Sequence, residues 1–266
     1  MQLSFTKMHG CGNDYIYVNC FEHEIEAPEA LAIHLSDRHT GIGGDGFVLI
    51  LPSDIADANM RMFNADGSEG SMCGNAIRCV AKYLYDNGLV RKTQMRIETL
   101  SGVKRLELFI ANEAVCSAKV NMGPAEIQPS QHVEIENNAY TLTCISMGNP
   151  HAVIFCEDVD ALDLHALGPQ FEHHPLFPDR VNTEFVKILG KNHLRMRVWE
   201  RGSGETQACG TGACAASVAA VLNGCCDKNT DIVVQLLGGE LTIHYTDEAV
   251  YMTGPCVTVF EGIVEL

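Results

Sequence analysis

Two cysteines, Cys73 and Cys209, stand 136 positions apart (209 minus 73) in two copies of one segment. Met60-Arg61-Met62-Phe63-Asn64 returns as Met196-Arg197-Val198-Trp199-Glu200, and nine residues after Asn64 and Glu200 come Cys73-Gly74-Asn75 and Cys209-Gly210-Thr211. Each cysteine opens a helix-like run that stops at Asn-Gly, at Asn87-Gly88 and at Asn223-Gly224, and the same offset pairs Gly12-Asn13 with Gly148-Asn149. A free thiol titrates near ~8.5, and a helix N-terminus or a nearby cation lowers that to roughly 3.5–7.5. Small residues follow both cysteines, so the first-turn N–H groups stay open to a carboxylate. If the halves pack as a pseudo-twofold pair, the sulfurs face each other across a cleft, one taking a proton and the other giving one. That geometry suits inversion of a carbon centre beside a carboxylate, with the helix N–H groups steadying the enolate-like charge that forms.

Taken singly, a Cys-Gly pair at a loop-to-helix junction reads as a small buried residue; the duplication argues otherwise for this pair. A zinc site wants Cys-x2-Cys or suitably spaced histidines. Cys73 with Cys79 and Cys209 with Cys214 are six and five apart, which puts the partners on different turns or faces. Gly41-Ile42-Gly43-Gly44-Asp45-Gly46 lacks the Lys-Ser/Thr of a phosphate-cradling loop and reads as a glycine-rich turn. No cofactor is expected.

The elements that must position the thiols follow from patterning. Leu3–Lys7 and Tyr15–Val18 read as strands about the turn His9–Asp14, Pro28–His39 as a helix, and Phe47–Leu51 and Met60–Phe63 as strands leading to the polar loop Asn64–Ser71. Hairpins are expected across Gly102 and across Gly238-Gly239, a short helix over Asp163–Leu167, and strands at Ala114–Val120, Thr141–Ile145, Ala152–Phe155, Phe185–Leu189 and Met196–Glu200. Gly123-Pro124 and the polar run Gln128–Asn138 read as the crossover between halves. The expected division is residues 1–120, completed by a last strand within 256–266, and residues 121–255.

A chain of 266 residues with net charge −16 opposes a broad nucleic-acid surface, because that affinity rests on Lys and Arg. No stretch approaches the length of a membrane span. Met1–Tyr17 lacks the pattern of a secretory leader, so a reducing cytoplasm is expected, in which most of the 12 cysteines are small buried hydrophobes. A small-molecule partner fits better than nucleic acid or membrane.

The motifs resemble those of the diaminopimelate epimerase family over essentially the whole length. They are Lys7–Tyr15 (KMHGCGNDY), Asp66-Gly67-Ser68-Glu69 leading to Met72–Cys79 (MCGNAIRC), Gly148-Asn149-Pro150-His151, Val181–Phe185 (VNTEF), and Glu200-Arg201-Gly202 leading to Ala208–Gly212 (ACGTG). The resemblance implies an α/β fold of α+β type: two pseudo-symmetric domains, each a curved, mostly antiparallel sheet or barrel wrapped around a central helix, with the site in the cleft between them. It implies inversion of one α-carbon of LL-diaminopimelate to the meso form without pyridoxal phosphate, for lysine and cell-wall synthesis. Carried over by position, Cys73 and Cys209 are the thiolate/thiol pair. Gly74, Asn75, Gly210 and Thr211 bind the reacting-end carboxylate; Asn13, Asn64, Asn149, Asn182 and Arg201 fix the rest, Arg201 forking onto the distal carboxylate. Glu200 and His151 complete the site. A homodimer is suggested by resemblance alone.

Each residue also has a plainer reading. Asn13 and Asn149 in Gly-Asn turns serve the backbone, His151 after Pro150 is a loop hydrogen-bonder, and Glu200-Arg201 is a solvated pair. Gly46 departs from relatives that carry a polar side chain there, and no substrate contact is assigned to it. Cys11 has no evident role. Two rivals stand beside the main reading: a related cofactor-independent racemase for proline, hydroxyproline or histidine, and a thiol redox or metal-binding protein.

Overall fold

Five consecutive side chains of the strand Gly46–Leu51 are buried, the mark of a strand covered on both faces. A computed structural model describes residues 2–266 and explains that pattern. The chain forms two units, one running through Val120 and taking back Thr253–Leu266, the other spanning Asn121–Met252.

The first unit runs β1 (Gln2–Gly10), β2 (Asn13–Asn19), α1 (Pro28–Ser36), β3 (Gly46–Leu51), β4 (Ala58–Asn64), β5 (Glu69–Gly70), α2 (Gly74–Asp86), β6 (Gln94–Glu98), β7 (Lys104–Ala111) and β8 (Ala114–Gly123). The second runs β9 (Glu126–Ile127), β10 (Gln131–Ile135), β11 (Asn138–Ser146), β12 (Pro150–Phe155), α3 (Leu164–Glu172), β13 (Asn182–Gly190), β14 (His193–Glu200), β15 (Gly204–Glu205), α4 (Gly210–Leu222), β16 (Asp231–Gln235), β17 (Glu240–Tyr245) and β18 (Val250–Pro255). A last strand, β19 (Val257–Glu265), lies antiparallel on β1 with Gln2 opposite Glu265. No helix among the described residues is long and apolar enough to cross a membrane.

The repeat extends to strand register. Parallel β2–β3 sets Tyr15 opposite Gly46, and parallel β12–β13 sets His151 opposite Asn182. Antiparallel β3–β4 pairs Phe47 with Phe63 where β13–β14 pairs Thr183 with Trp199. In the turn strands Phe63 meets Glu69 and Trp199 meets Glu205. Every one of these pairs is displaced by the same 136 positions as the cysteines.

Each sheet carries one helix on either face. Ile16, Val18, Phe47, Leu49 and Phe63 join the core that includes Ala32 and Leu35 of α1. Strand side chains alternate between faces, so Tyr15, Tyr17, Val48 and Met62 face α2. In the second unit Ala152, Ile154 and Phe185 pack with Leu164 and Phe171 of α3, which turns His151, Val153 and Glu184 toward α4. The helices α2 and α4 are buried almost all round. The run Gly210–Leu222 holds only small or aliphatic side chains, so the sheet can close around it.

The structure departs from the sequence expectation at three places. The first helix stops at Ser36 rather than His39, because the Asp37 carboxylate accepts from the N–H groups of His39 and Thr40 and starts a turn. The short helix expected at Asp163–Leu167 continues through Pro169 to Glu172. The expected polar crossover holds β9 and β10, and β10 turns into β11 at Glu136-Asn137 with both φ positive (53° and 64°), a primed turn that matches strand twist.

A size exchange marks the outer helices. Ala32 packs in the core with Phe63, whereas the positions 136 later are Gly168 and Trp199. A Cβ at Gly168 would lie 2.2 Å from the indole Cδ2, and the ring is tied by Nε1–H to Glu172 (2.8 Å). Gly168→Ala gains up to about 1 kcal/mol of helix propensity against roughly 1–3 kcal/mol of overpacking. The expected outcome in urea denaturation is a net loss of about 1–2 kcal/mol; a stabilised variant would contradict the packing.

Candidate functional site

Neither central helix begins with a usual capping residue. Asp163 caps α3 by accepting from Ala166 N–H, the ordinary device. At α2 and α4 a sulfur takes that place: Ala76 N–H donates to Cys73 Sγ (3.5 Å) and Gly212 N–H to Cys209 Sγ (3.4 Å), both cysteines being extended (φ −129° and −113°). The positive helix end thus points at each sulfur, which favours thiolate.

The loops that deliver the cysteines are clipped alike. Arg61 forks onto Glu69 (2.7 and 3.1 Å) and Arg197 onto Glu205 (2.7 and 3.0 Å), 136 positions later. Bidentate pairs of this kind fix geometry as well as charge.

Around Cys73 the groups are amides. Asn13 Nδ2 donates to Asp45 (2.7 Å), which turns Asn13 Oδ1 toward the site, where it accepts from the Cys73 thiol (3.4 Å) and from Asn75 Nδ2 (3.2 Å). Asn75 Oδ1 in turn accepts from Arg78 Nη2 (2.9 Å), whose Nη1 donates to Gly74 O (2.9 Å). Arg78 is fully buried on α2, and Gly10 makes room for it, since a Cβ there would lie 2.8 Å from Nη2. Asp45 is also held by Arg38 (2.9 Å), which shares Asp14 with Lys7.

Around Cys209 the groups are acidic. His151 Nδ1 lies 2.7 Å from Glu184 Oε1, both side chains fully buried, and His151 Nε2 lies 3.1 Å from Asn149 Oδ1. Asn149 Nδ2 donates to Thr211 Oγ1 (3.3 Å), which lies 3.5 Å from Cys209 Sγ. Thr206 Oγ1 donates to Glu200 Oε1. Burial pushes the Cys209 thiol well above its ordinary value, and the Glu200 and Glu184 carboxylates push it the same way. Burial also raises Glu200, against the pull of Thr206, Cys209 and His151.

The structure therefore brings Asn13, Gly74 and Asn75 to Cys73, and Asn149, His151, Glu200, Gly210 and Thr211 to Cys209. Three expected residues are engaged elsewhere. Asn64 Nδ2 donates to Ser68 Oγ (2.9 Å), Asn182 bridges Pro150 O and Arg201 N–H, and Arg201 Nη1 donates to Asp179 O (3.0 Å). Sequence reading missed Asp45, Arg78, Glu184 and Thr206. Glu184 stands directly before Phe185 and Val186, at the third position of β13. Gly46 carries no side chain because a Cβ would lie 2.1 Å from Phe63 O. Cys11 is buried at φ 53°, and burial raises its thiol; burial lifts Cys79 to about 11 and Cys256 to about 12.

Comparison with known proteins completes the description. The sequence profile of the family described as Diaminopimelate epimerase matches residues 5–128 and 143–259. The chain is similar to proteins named diaminopimelate epimerase from Acetivibrio thermocellus (53% identical, 99% of each chain covered) and Desulfovibrio desulfuricans (53% identical, covering 98% of this chain and 97% of that one). Among solved structures it resembles a Bacillus anthracis phenazine biosynthesis protein of the PhzF family (TM-score 0.78, 16% identical, 100% of both chains). It also resembles a probable proline racemase from Agrobacterium radiobacter (TM-score 0.77, 16% identical, 99% of this chain and 92% of that one). At that identity the likeness speaks for the fold.

The charge cluster beneath Asn13 carries a pH signature. Burial raises the Asp14 carboxyl, but Arg38 and Lys7 outweigh it and hold it below the usual range. A depressed carboxylate contributes stability above its unfolded value, near ~3.9, and that contribution is lost as pH falls through the folded value. Asp14→Asn is expected to cost about 1–2 kcal/mol at pH 7, the low side for a paired group because Arg38 is solvated. It should also flatten the loss of stability between pH 5 and pH 3 in denaturant titrations; an unchanged acid limb would contradict the assignment.

Proposed function

The chain belongs to the diaminopimelate epimerase family, and from that membership we propose that it converts LL-diaminopimelate to meso-diaminopimelate by two-cysteine proton transfer without pyridoxal phosphate. The observation that carries the mechanism is the pair of helix starts capped by sulfur, Cys73 on α2 and Cys209 on α4, in two units of one register. One sulfur, as thiolate, takes the α-proton; the electron pair stays on the carbon and its carboxylate as an enolate-like anion. The other, as thiol, returns a proton to the opposite face of that carbon, and the two thiols have exchanged protonation states.

The α-carboxylate is met by the first-turn N–H groups of the two helices, at Gly74 and Asn75 and at Gly210 and Thr211, since a helix N-terminus favours an anion. As charge builds on that carboxylate these preset donors stabilise it most. Asn13 and Asn149, whose orientations Asp45 and Thr211 hold, help fix the rest of the substrate. Asn64, Asn182, Glu200 and Arg201 recognise the distal amino-acid end, where a guanidinium forks onto carboxylate. In this reading the product feeds lysine and cell-wall precursor synthesis in the cytoplasm, and the chain works as a homodimer.

A hydroxyl cannot hold a thiol's proton inventory near neutral pH. Cys73→Ser and Cys209→Ser are each expected to retain under a few per cent of epimerase activity, followed by chiral chromatography of diaminopimelate. A site built for two zwitterionic ends rejects substrates lacking one by about 10⁴ to 10⁵, so proline and histidine should show no turnover. Racemisation of either within tenfold of diaminopimelate would overturn the substrate assignment.

A further inference from the structure

Glu184 has no part in the reaction as described, yet it is a fully buried carboxylate. Its side chain is fully buried, Oε1 lies 2.7 Å from His151 Nδ1, and Oε2 accepts no hydrogen bond among the described residues. Burying a carboxylate with one oxygen bare is unfavourable. Packing does not require it: at the position 136 earlier β3 carries Val48, also fully buried.

From this carboxylate a chain of contacts leads to sulfur, through His151 Nε2 to Asn149 Oδ1 (3.1 Å), Asn149 Nδ2 to Thr211 Oγ1 (3.3 Å) and Thr211 Oγ1 to Cys209 Sγ (3.5 Å). The other end closes on the same helix turn. A Cβ at Gly212 would lie 2.7 Å from Glu184 Oε1 and 3.2 Å from Cys209 Sγ, so carboxylate and sulfur flank one bare glycine.

We propose that Glu184 is a positioning residue of the epimerase site: it holds His151 with Nδ1–H on the carboxylate and Nε2 toward Asn149, and its carboxylate, across the bare Gly212 from the sulfur, opposes negative charge on Cys209 Sγ. This rests on the two-cysteine function above. An N–H on Nδ1 is the form that a carboxylate at that nitrogen selects, and it fixes which ring nitrogen meets the site. The ionisable groups facing Cys209 are Glu184 from β13, Glu200 at the end of β14 and, beyond them, His151 from β12. Burial raises the thiol most, then Glu200, then Glu184. Removing the Glu184 charge leaves burial and Glu200 in place and lowers the thiol from its raised position. In the first unit the positions matching Glu184 and Glu200 are Val48 and Asn64, and the buried charges on α2 are the cations Arg78 and Lys82.

The test is the pH dependence of iodoacetamide alkylation at Cys209, read by peptide mass spectrometry in Glu184→Gln and Glu184→Asp, with Cys73 in the same protein as reference. Glu184→Gln should alkylate at Cys209 roughly tenfold faster at pH 8, since more of the sulfur is thiolate, with Cys73 unchanged. Glu184→Asp, which keeps the charge, should stay within about twofold of the parent. A Cys209 rate that does not move in Glu184→Gln, or that rises equally in Glu184→Asp, overturns the proposal. Should Glu184→Gln fail to fold, ¹⁵N-histidine spectra of the unsubstituted protein decide the matter. With the His151 signal assigned by its loss in His151→Asn and so separated from His244, whose Nδ1 lies 2.8 Å from Asp231 Oδ1, a His151 that keeps its Nδ1 proton at pH 8 supports the proposal, and a His151 protonated at Nε2 alone overturns it. Alkylation needs no substrate. A protein inert to diaminopimelate that still shows the Glu184→Gln acceleration removes the function and supports the placement; an active one without it overturns Glu184 alone.

Discussion

A helix-terminal N–H pointing at sulfur is the interaction on which the rest of this structure depends. A cysteine is a poor cap by ordinary standards, and at both Cys73 and Cys209 it stands where Asp163 shows what an ordinary cap would be. Presenting two such ends requires a helix core that is buried along its sides, and each unit supplies this by laying its sheet on α2 or α4. The flanking requirements follow from that one. Small residues line Gly210–Leu222 so that the sheet can approach, and the forked pairs Arg61–Glu69 and Arg197–Glu205 hold the loops that enter the helices.

Magnitudes decide how far the helix end can go. A favourable helix-terminal interaction is worth up to about 2 kcal/mol, or roughly one and a half pKa units, whereas full burial moves a group by as much as ~3–5 units. At Cys209 burial and two carboxylates win, and together they push the thiol well above its ordinary value. The Cys73 surroundings differ in kind, with amides at the sulfur and a fully buried Arg78 farther along the same helix. Duplication supplied one backbone twice, and substitution at matching positions gave its halves different ionisable groups. Glu184 answers to Val48, Glu200 to Asn64, His151 to Tyr15, and Arg78 to Cys214.

The repeat made much of this readable beforehand. An offset in one segment implied two equal folds, two helix starts and two sulfurs, because register is set by patterns that duplicate together. What could not be read was orientation. Whether Glu184 faces α3 or α4 depends on strand parity, fixed by Phe185 packing with Phe171, and whether Asn13 presents oxygen or nitrogen depends on Asp45, 32 residues away in sequence. The run Gln128–Asn138 looked like linker because its strands are polar on the exposed side and close through a primed turn of Glu136-Asn137, of which Asn137 alone is a usual turn residue. Arg201 and Asn64 matched the family motif, yet here their side chains bind Asp179 O and Ser68, contacts that motif matching does not reveal.

The central claim is that inversion proceeds by exchange of the α-hydrogen through two thiols, and incubation of the reduced protein with LL-diaminopimelate in D2O tests it most directly. Mass and chirality of the amino acid, followed together, should show meso-diaminopimelate carrying one solvent-derived deuteron at the inverted carbon. Inversion without deuterium, or no exchange at all with the thiols reduced, would contradict it.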